Sequence, residues 1–134
     1  MPKILLIDTS VLFAVFEKDV PIDLSSIIEL VHPKRIGVLS QCLKEIEHKM
    51  RYGSIRERSI ARSLISTMEK LGIHEIRVEG PEACDEAIIS YCKGKRDVVV
   101  ATLDNELKNR LLKDGISVIY LRAGKKPVLE GSQI

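Results

Sequence analysis

Two apolar runs in this chain end on an aspartate. Lys3-Ile4-Leu5-Leu6-Ile7 leads into Asp8-Thr9-Ser10, and Val98-Val99-Val100-Ala101 leads through Thr102-Leu103 to Asp104. A short continuous apolar run bounded by polar residues reads as a strand buried on both faces. The residue just past such a strand lies at its carboxyl end, the edge where open parallel sheets hold ligands. Other acids are expected at the same edge: Glu45 early in the helix after the second strand, Asp85 and Glu86 at the start of the helix before the fourth, and Glu106 one turn after Asp104. Carboxylates that converge without a cation among them repel, and an unpaired buried one is costly. A hard divalent cation with oxygen ligands, Mg²⁺ or Mn²⁺, resolves the conflict. Such an ion keeps waters, so one can act as an activated nucleophile on phosphorus while a second ion stabilises the leaving oxygen. The chemistry this suggests is phosphodiester hydrolysis, with Thr9, Ser10 and Thr102 hydrogen-bonding the carboxylates or the phosphate. Each acid taken singly has a plainer use. Asp8 and Asp104 can be helix N-caps, Asp85, Glu86 and Glu106 first-turn charges on helix dipoles, and Glu45 the partner of Lys49 one turn on.

The elements that would position these residues follow from periodicity. After Asp8, Thr9 or Ser10 is expected to cap a helix with Val11, Leu12, Ala14 and Val15 on its apolar face. Asp19-Val20-Pro21 reads as a break, with Pro21 at the first position of a helix carrying Leu24, Ile27, Ile28 and Val31 and ending at His32-Pro33. A second strand spans Arg35 to Leu39. Ser40 is expected to cap the helix of Leu43, Ile46 and Met50, which Tyr52-Gly53 closes. Ser54 and Glu57 form a capping box for a helix with Ile60, Ala61, Leu64, Ile65, Met68 and Leu71, stopped at Gly72. The third strand is read as Glu75 to Val78. Gly80-Pro81 is expected to start a helix with Cys84, Ala87, Ile88, Tyr91 and Cys92 on one face. The fourth strand is Val98 to Leu103, followed by a helix with Leu107, Leu111 and Leu112 and a fifth strand, Ser117 to Leu121. Strands alternating with helices imply a parallel sheet covered on both faces. With right-handed crossovers, the expected fold is a three-layer α/β/α domain over residues 1–122 with strand order 3-2-1-4-5, and 123–134 as a C-terminal tail. In that order strands 1 and 4 are neighbours where the winding reverses, so Asp8 and Asp104 face each other across the crevice.

Bulk composition fits one ordinary domain: 134 residues, 45% hydrophobic and 30% charged, enough to bury a core. No apolar run approaches the roughly 20 residues of a membrane span, and the chain enters its first strand at once, leaving no room for a signal peptide; the expectation is a cytoplasmic protein with no membrane partner. Three cysteines, Cys42, Cys84 and Cys92, with an odd count and no CxxC, argue against a disulfide framework and against zinc, and read as buried thiols. His32, His48 and His74 have no ligand spacing and read as surface or helix-end residues. A net charge of +2, from 21 basic and 19 acidic residues, says little about partners.

Four pieces together resemble a known family: Ile-Asp-Thr-Ser at 7–10, Glu45 within Ser-Gln-Cys-Leu-Lys-Glu-Ile-Glu, Asp85 before Glu86-Ala-Ile, and Val-Ala-Thr-Leu-Asp at 100–104. In order and spacing they are similar to the PIN domain, over nearly the whole chain. The resemblance implies a PIN-type α/β/α fold and a metal-dependent endoribonuclease. Asp8, Glu45, Asp85 and Asp104 fall on the family's acidic positions, Glu106 where many members carry a further Asp, and Ser10 and Thr102 on its polar helpers. Ser-Gln-Cys-Leu-Lys-Glu, Val-Ala-Thr-Leu-Asp-Asn-Glu-Leu-Lys and Ile-Tyr-Leu-Arg look similar to the branch related to pre-rRNA-processing nucleases. VapC-type toxins share the fold and the acids. The partners implied are an RNA substrate, a second copy of the chain, and an antitoxin or a ribosome-assembly partner.

RNA binding needs positive charge near the acids. Lys49, Arg51, Arg56, Arg58 and Arg62 gather on one helix pair, and Lys93, Lys95, Arg96, Lys108, Arg110 and Lys113 near the other. Lys49, Arg51 and Lys108 are the candidates for contact, although a basic run is more often a solvated helix face. Aromatic residues are sparse and Trp is absent, so backbone contacts with a strong salt dependence are expected rather than base stacking. Two other readings compete. One is a PIN module that binds RNA or protein without cleaving. The other is a receiver-like phosphoacceptor domain, for which Lys126-Pro127 is apt. That reading wants an Asp after the third strand, where the chain has Glu79, and a carboxylate pair after the first, where it has only Asp8.

Overall fold

The computed structural model describes residues 4–16, 23–122 and 126–131. The expected break at Asp19-Val20-Pro21, Lys3 of the first strand and Lys125 of the tail lie outside them. Among the described residues six strands form one sheet in the order β3-β2-β1-β4-β5-β6, with helices on both faces. The strands are β1 (Ile4–Ile7), β2 (Arg35–Leu39), β3 (Ile73–Ile76), β4 (Val98–Ala101), β5 (Ser117–Arg122) and β6 (Lys126–Glu130). The helices are α1 (Thr9–Val15), α2 (Leu24–Val31), α3 (Ser40–Tyr52), α4 (Ile55–Thr67), α5 (Cys84–Cys92) and α6 (Asn105–Lys113). The first five strands run parallel in the order 3-2-1-4-5, as the alternating pattern implies. Among the described residues no helix is long and apolar enough to cross a membrane.

β1 and β4 lie at the centre because they can be buried on both faces. Leu5, Leu6, Ile7, Val99, Val100 and Ala101 have no exposed surface, and burying each large aliphatic side chain contributes about 1.5–3 kcal/mol. Their register pairs Ile7 with Ala101, so both strands stop at the same height. The chain leaves β1 toward β2 and leaves β4 toward β5. This reversal opens a crevice above the two strand ends, the usual ligand position in such sheets.

Several local expectations are corrected. Lys126 to Glu130 are not tail: they form an antiparallel edge strand, with Leu129 opposite Ile119 and Pro127 opposite Leu121. Pro127 is tolerated because an edge strand has no ladder partner on one side. Gly131, at φ 136°, then lets the backbone pass Ser117, where an added Cβ would lie 2.6 Å from the serine Cα. β3 lies two residues earlier than Glu75 to Val78, pairing Ile36 with Ile73 and Leu39 with Ile76. β4 stops at Ala101 rather than Leu103. α5 begins at Cys84, not at Gly80-Pro81. Ser40 does not cap α3; Leu39 holds that position. The Ser40 hydroxyl accepts from the Val78 amide at 3.3 Å, and Gln41 Nε2 donates to the Val78 carbonyl at 3.1 Å. Together they fasten the segment leading to α5 onto the start of α3.

The capping box forms as read. Ser54 Oγ accepts from the Glu57 amide at 3.1 Å, and Glu57 Oε1 accepts from the Ser54 amide at 2.9 Å. Glu57 also takes Lys49 Nζ at 3.2 Å, joining α4 to α3. The Ser54 amide first, and then Lys49, hold the Glu57 carboxyl below its ordinary range. Ser54→Ala is expected to cost about 1 kcal/mol, read as a lower denaturant midpoint with an unchanged slope.

Candidate active site

Asp8 is the N-cap residue of α1, but its side chain makes no cap bond. It is turned to other work. The residue is only 7% exposed, and its Oδ2 accepts from Ser10 Oγ at 2.7 Å and from Thr102 Oγ1 at 2.8 Å. The two hydroxyls are themselves fixed. Ser10 Oγ accepts from the Leu103 amide at 3.1 Å, and the fully buried Thr102 Oγ1 accepts from the Asp104 amide at 3.0 Å. The segments after β1 and β4 are thus tied through side chains, in addition to the Asp8 amide donating to Ala101 O at 3.0 Å.

Asp104 is the N-cap of α6 that its sequence position suggests. Its Oδ1 accepts from the amides of Glu106 at 2.9 Å and Leu107 at 3.2 Å. Both bonds fall on Oδ1, so Oδ2 has no bond among the described residues. The capping and functional readings of this acid are therefore compatible.

Asp8, Glu45, Asp85 and Asp104 line one open hollow of about 350 Å³, together with Thr9, Ser10, Phe13, Lys49 and Cys84. The helices deliver the two acids that do not follow directly from the central strands. α3 starts at the carboxyl end of β2 and carries Glu45 in its second turn, while α5 starts at the same edge with Asp85 as its second residue. Burial pushes the Asp8 carboxyl above its ordinary range. The bonds from Ser10 and Thr102 and the Thr9 amide oppose that shift, and the nearby charge of Asp104 adds to it. Burial also pushes Glu45 up, followed by repulsion from Asp8; Lys49 works against the shift and Asp85 with it. Asp8 thus feels the charge of Asp104, and Glu45 that of Asp8 and Asp85. Among the described residues Lys49 is the one cation lining the hollow, and it is held by Glu57 and by the ring of Phe13, 5.0 Å from its Nζ to the ring centre.

The remaining candidates fall elsewhere. Thr102 does not line the hollow but supports Asp8 from beneath. Glu86 turns aside to a two-pronged pair with Arg110, at 2.6 and 3.2 Å, which holds its carboxyl below the ordinary range. Glu106, Arg51 and Lys108 are not among the residues lining the hollow. Lys108 lies over the Tyr120 ring at 4.3 Å, and Lys95 over Tyr91 at 4.3 Å.

The cysteines overturn the expectation of three buried thiols. Cys42 on α3 and Cys84 at the head of α5 are joined by a disulfide, with their Cα atoms 4.7 Å apart. Cys92 alone stays free; burial pushes its thiol up to about 12. The sulfur of Cys84 lies 3.5 Å from Thr9 Oγ1 and 3.5 Å from Asp8 Oδ1, so a residue read as packing is part of the site wall. Its signal was its place directly before Asp85.

The donor set suits a hard cation. It is all carboxylate oxygen, and Lys49, the only adjacent cation among the described residues, is already engaged. Among the described residues, no three acid oxygens lie within 4.8 Å of one another; the one such group of three potential ligands is Asp8 with Cys42 and Cys84. The acids frame an open bowl rather than a closed cage, which fits an ion that retains several waters and takes one or two carboxylates directly.

The fold and site define a class: a three-layer α/β domain with an acidic cleft at its topological switch point. The chain belongs to the PIN-like domain family, which residues 5–124 match. It is 29% identical over 119 residues to Ribonuclease VapC4 of Methanocaldococcus jannaschii, spanning 88% of this chain and 89% of that protein. Its fold superposes on the PIN domain endonuclease Utp24 with a TM-score of 0.71, at 19% identity, over 99% of this chain and 93% of the other.

Proposed function

We propose that this chain is a metal-dependent endoribonuclease. The observation that carries the reading is the gathering of Asp8, Glu45, Asp85 and Asp104 in one hollow. Its similarity to a ribonuclease supports RNA as the substrate. Asp8 and Asp104 would hold Mg²⁺ or Mn²⁺, with Glu45 and Asp85 completing the negative wall. The ion's chemistry is to polarise the phosphoryl group and to make a bound water acidic enough to attack at neutral pH. Ser10 and Thr102 keep Oδ2 of Asp8 in one orientation. Glu45, whose carboxyl holds a proton more tightly than usual, is suited to take the proton of the attacking water at Oε. Lys49, at the edge of the hollow, would meet the RNA backbone as a point charge; Arg51 and Lys108 would contribute only where the RNA runs beyond it.

The test uses labelled single-stranded and structured RNA with Mn²⁺, with Mg²⁺ and with EDTA, beside Asp104→Asn. Cleavage is expected only with metal, and to be lost in the folded variant. Salt-sensitive RNA binding without cleavage would instead identify a non-cleaving module, and cleavage by the variant at the wild-type rate would remove the site assignment.

A pH dependence follows. Asp8 and Glu45 both hold protons above their ordinary values of 3.8 and 4.5, so protons compete with metal in a range where exposed carboxylates are already ionised. Cleavage is expected to fall as pH drops through the mildly acidic range, before pH 4.5 is reached. Raising Mn²⁺ should move the midpoint to lower pH, which rate profiles at two Mn²⁺ concentrations would show.

A further inference from the structure

We infer that the Cys42–Cys84 disulfide is a positioning element of the acidic cleft and makes its affinity for a divalent cation depend on thiol redox state; this rests on the metal-site reading above. Cys42 lies one turn before Glu45 on α3, so the two share a helix face. Cys84 is the residue before Asp85 at the head of α5. The bridge therefore ties together the two helices that deliver acids from outside the central strands, within one turn of each acid. Its sulfur at Cys84 also borders the Asp8 carboxylate.

The two redox states differ at that border. In the disulfide, Sγ of Cys84 has no proton and is at most a weak acceptor, for which Thr9 Oγ1 at 3.5 Å is placed. Once reduced, the same sulfur carries an S–H, and Asp8 Oδ1 at 3.5 Å becomes its acceptor. That oxygen is the one Ser10 and Thr102 do not use. Reduction thus sets a proton donor on a carboxylate oxygen needed for metal. Two unbonded sulfurs also cannot stay at bonding distance, so the Cys42 side chain turns away and the covalent tie between α3 and α5, the helices of Glu45 and Asp85, is lost.

A reductant would approach the bond from the Cys84 side. Cys42 is fully buried and Cys84 only 6% exposed, but that exposed edge borders both the acidic hollow and a neighbouring one of about 770 Å³ lined by Gln41, Lys44, Glu79 and Glu82. A dithiol reductant attacks Sγ of Cys84, and Cys42 leaves as the thiolate and takes up a proton. The reductant's second thiol then displaces Cys84 from the mixed disulfide, so two protein thiols form and the dithiol becomes a cyclic disulfide.

The experiment measures Mn²⁺ binding by electron paramagnetic resonance of the free ion, with no RNA present. Oxidised wild type, wild type reduced by a dithiol, Cys42→Ser/Cys84→Ser and Cys92→Ala are compared, with thiol counts under denaturing conditions and circular dichroism of each. Oxidised wild type should show one thiol, from Cys92, and reduced wild type three. Reduction should weaken Mn²⁺ binding about tenfold, as loss of a ligand's supporting contact does. The double variant should bind like reduced protein whatever its redox treatment, and Cys92→Ala should respond to reduction as wild type does. If the double variant does not fold, the wild-type pair decides. Equal Mn²⁺ affinity in the two wild-type states overturns the inference and leaves the metal site standing. Three free thiols after oxidation overturn it as well, and absence of Mn²⁺ binding in both states overturns the inference and the metal reading together.

Discussion

Asp8→Asn is expected to lower metal-dependent cleavage about a hundredfold or more, since even groups that only support a ligand are worth about 10–100-fold. The fold should survive. Ser10 and Thr102 both donate to Oδ2, so the Asn carbonyl can keep both bonds, and its amide can face the weakly accepting sulfur of Cys84. Metal-free stability should change in the opposite sense to activity. The folded Asp8 carboxyl sits above its ordinary 3.8, chiefly through burial, so the folded state binds a proton more tightly than the unfolded chain. Stability linked to this group is then highest below pH 3.8, falls as pH rises through the raised folded value, and stays low above it. Asn carries no charge and escapes that loss. At neutral pH without metal the variant should therefore melt no lower than wild type. With Mn²⁺ the order reverses: wild type gains about 2.7 kcal/mol at a hundredfold excess over Kd, and the variant gains little. Thermal melts with and without Mn²⁺ check both signs, and a variant that melts well below wild type without metal would show that the Asp8 charge is compensated.

Thr102→Val carries the second large effect. Valine keeps the shape and removes one hydroxyl with two jobs, donating to Asp8 Oδ2 at 2.8 Å and giving the Asp104 amide an acceptor at 3.0 Å. Thr102 has no exposed surface, so water cannot easily replace its hydroxyl. Leaving an amide without its partner costs about 1–3 kcal/mol. Freeing Asp8 to turn should lower cleavage about 10–100-fold. Thr102→Ser restores both bonds and should recover most of the activity, which a purely packing role for the methyl group would not allow. Denaturant midpoints and cleavage rates on all three proteins decide it.

The central half of the molecule was legible in the sequence because its signals are local. Ile4 to Ile7 and Val98 to Ala101 are apolar runs that can be satisfied only between other strands, and an Asp beyond each then has to face the crevice. The same logic reached Glu45 and Asp85, since each belongs to a helix that begins at that edge. What was missed depends on contacts distant in the chain. Val128-Leu129, flanked by Lys126-Pro127 and Glu130, is too short and too polar at its ends to read as a strand; only the free edge of β5 makes it one. Ile73-His74-Glu75-Ile76 shows no alternation to mark it as the third strand, and its register comes from β2. Cys42 and Cys84 are 42 residues apart, and nothing in their spacing says that α3 and α5 meet at those two residues. Glu86 shows the converse: it is a carboxylate beside Asp85, yet Arg110 on the neighbouring α6 draws it away from the cleft.

The bond from Thr102 to Asp8 spans 94 residues, and it bears on the order in which the molecule is made. Among the six described strands β1 is made first, yet both its neighbours come later, and β4 is fourth of the six. Contacts so far apart in the chain form slowly, because a long loop must close before they reward it. Until residues 98–104 have docked, Asp8 has neither its buttress nor its opposite carboxylate. A chain halted before that point can build helices and pair β1 with β2, but it cannot assemble the acidic bowl. The topology thus delays assembly of the acidic bowl until the domain is nearly complete.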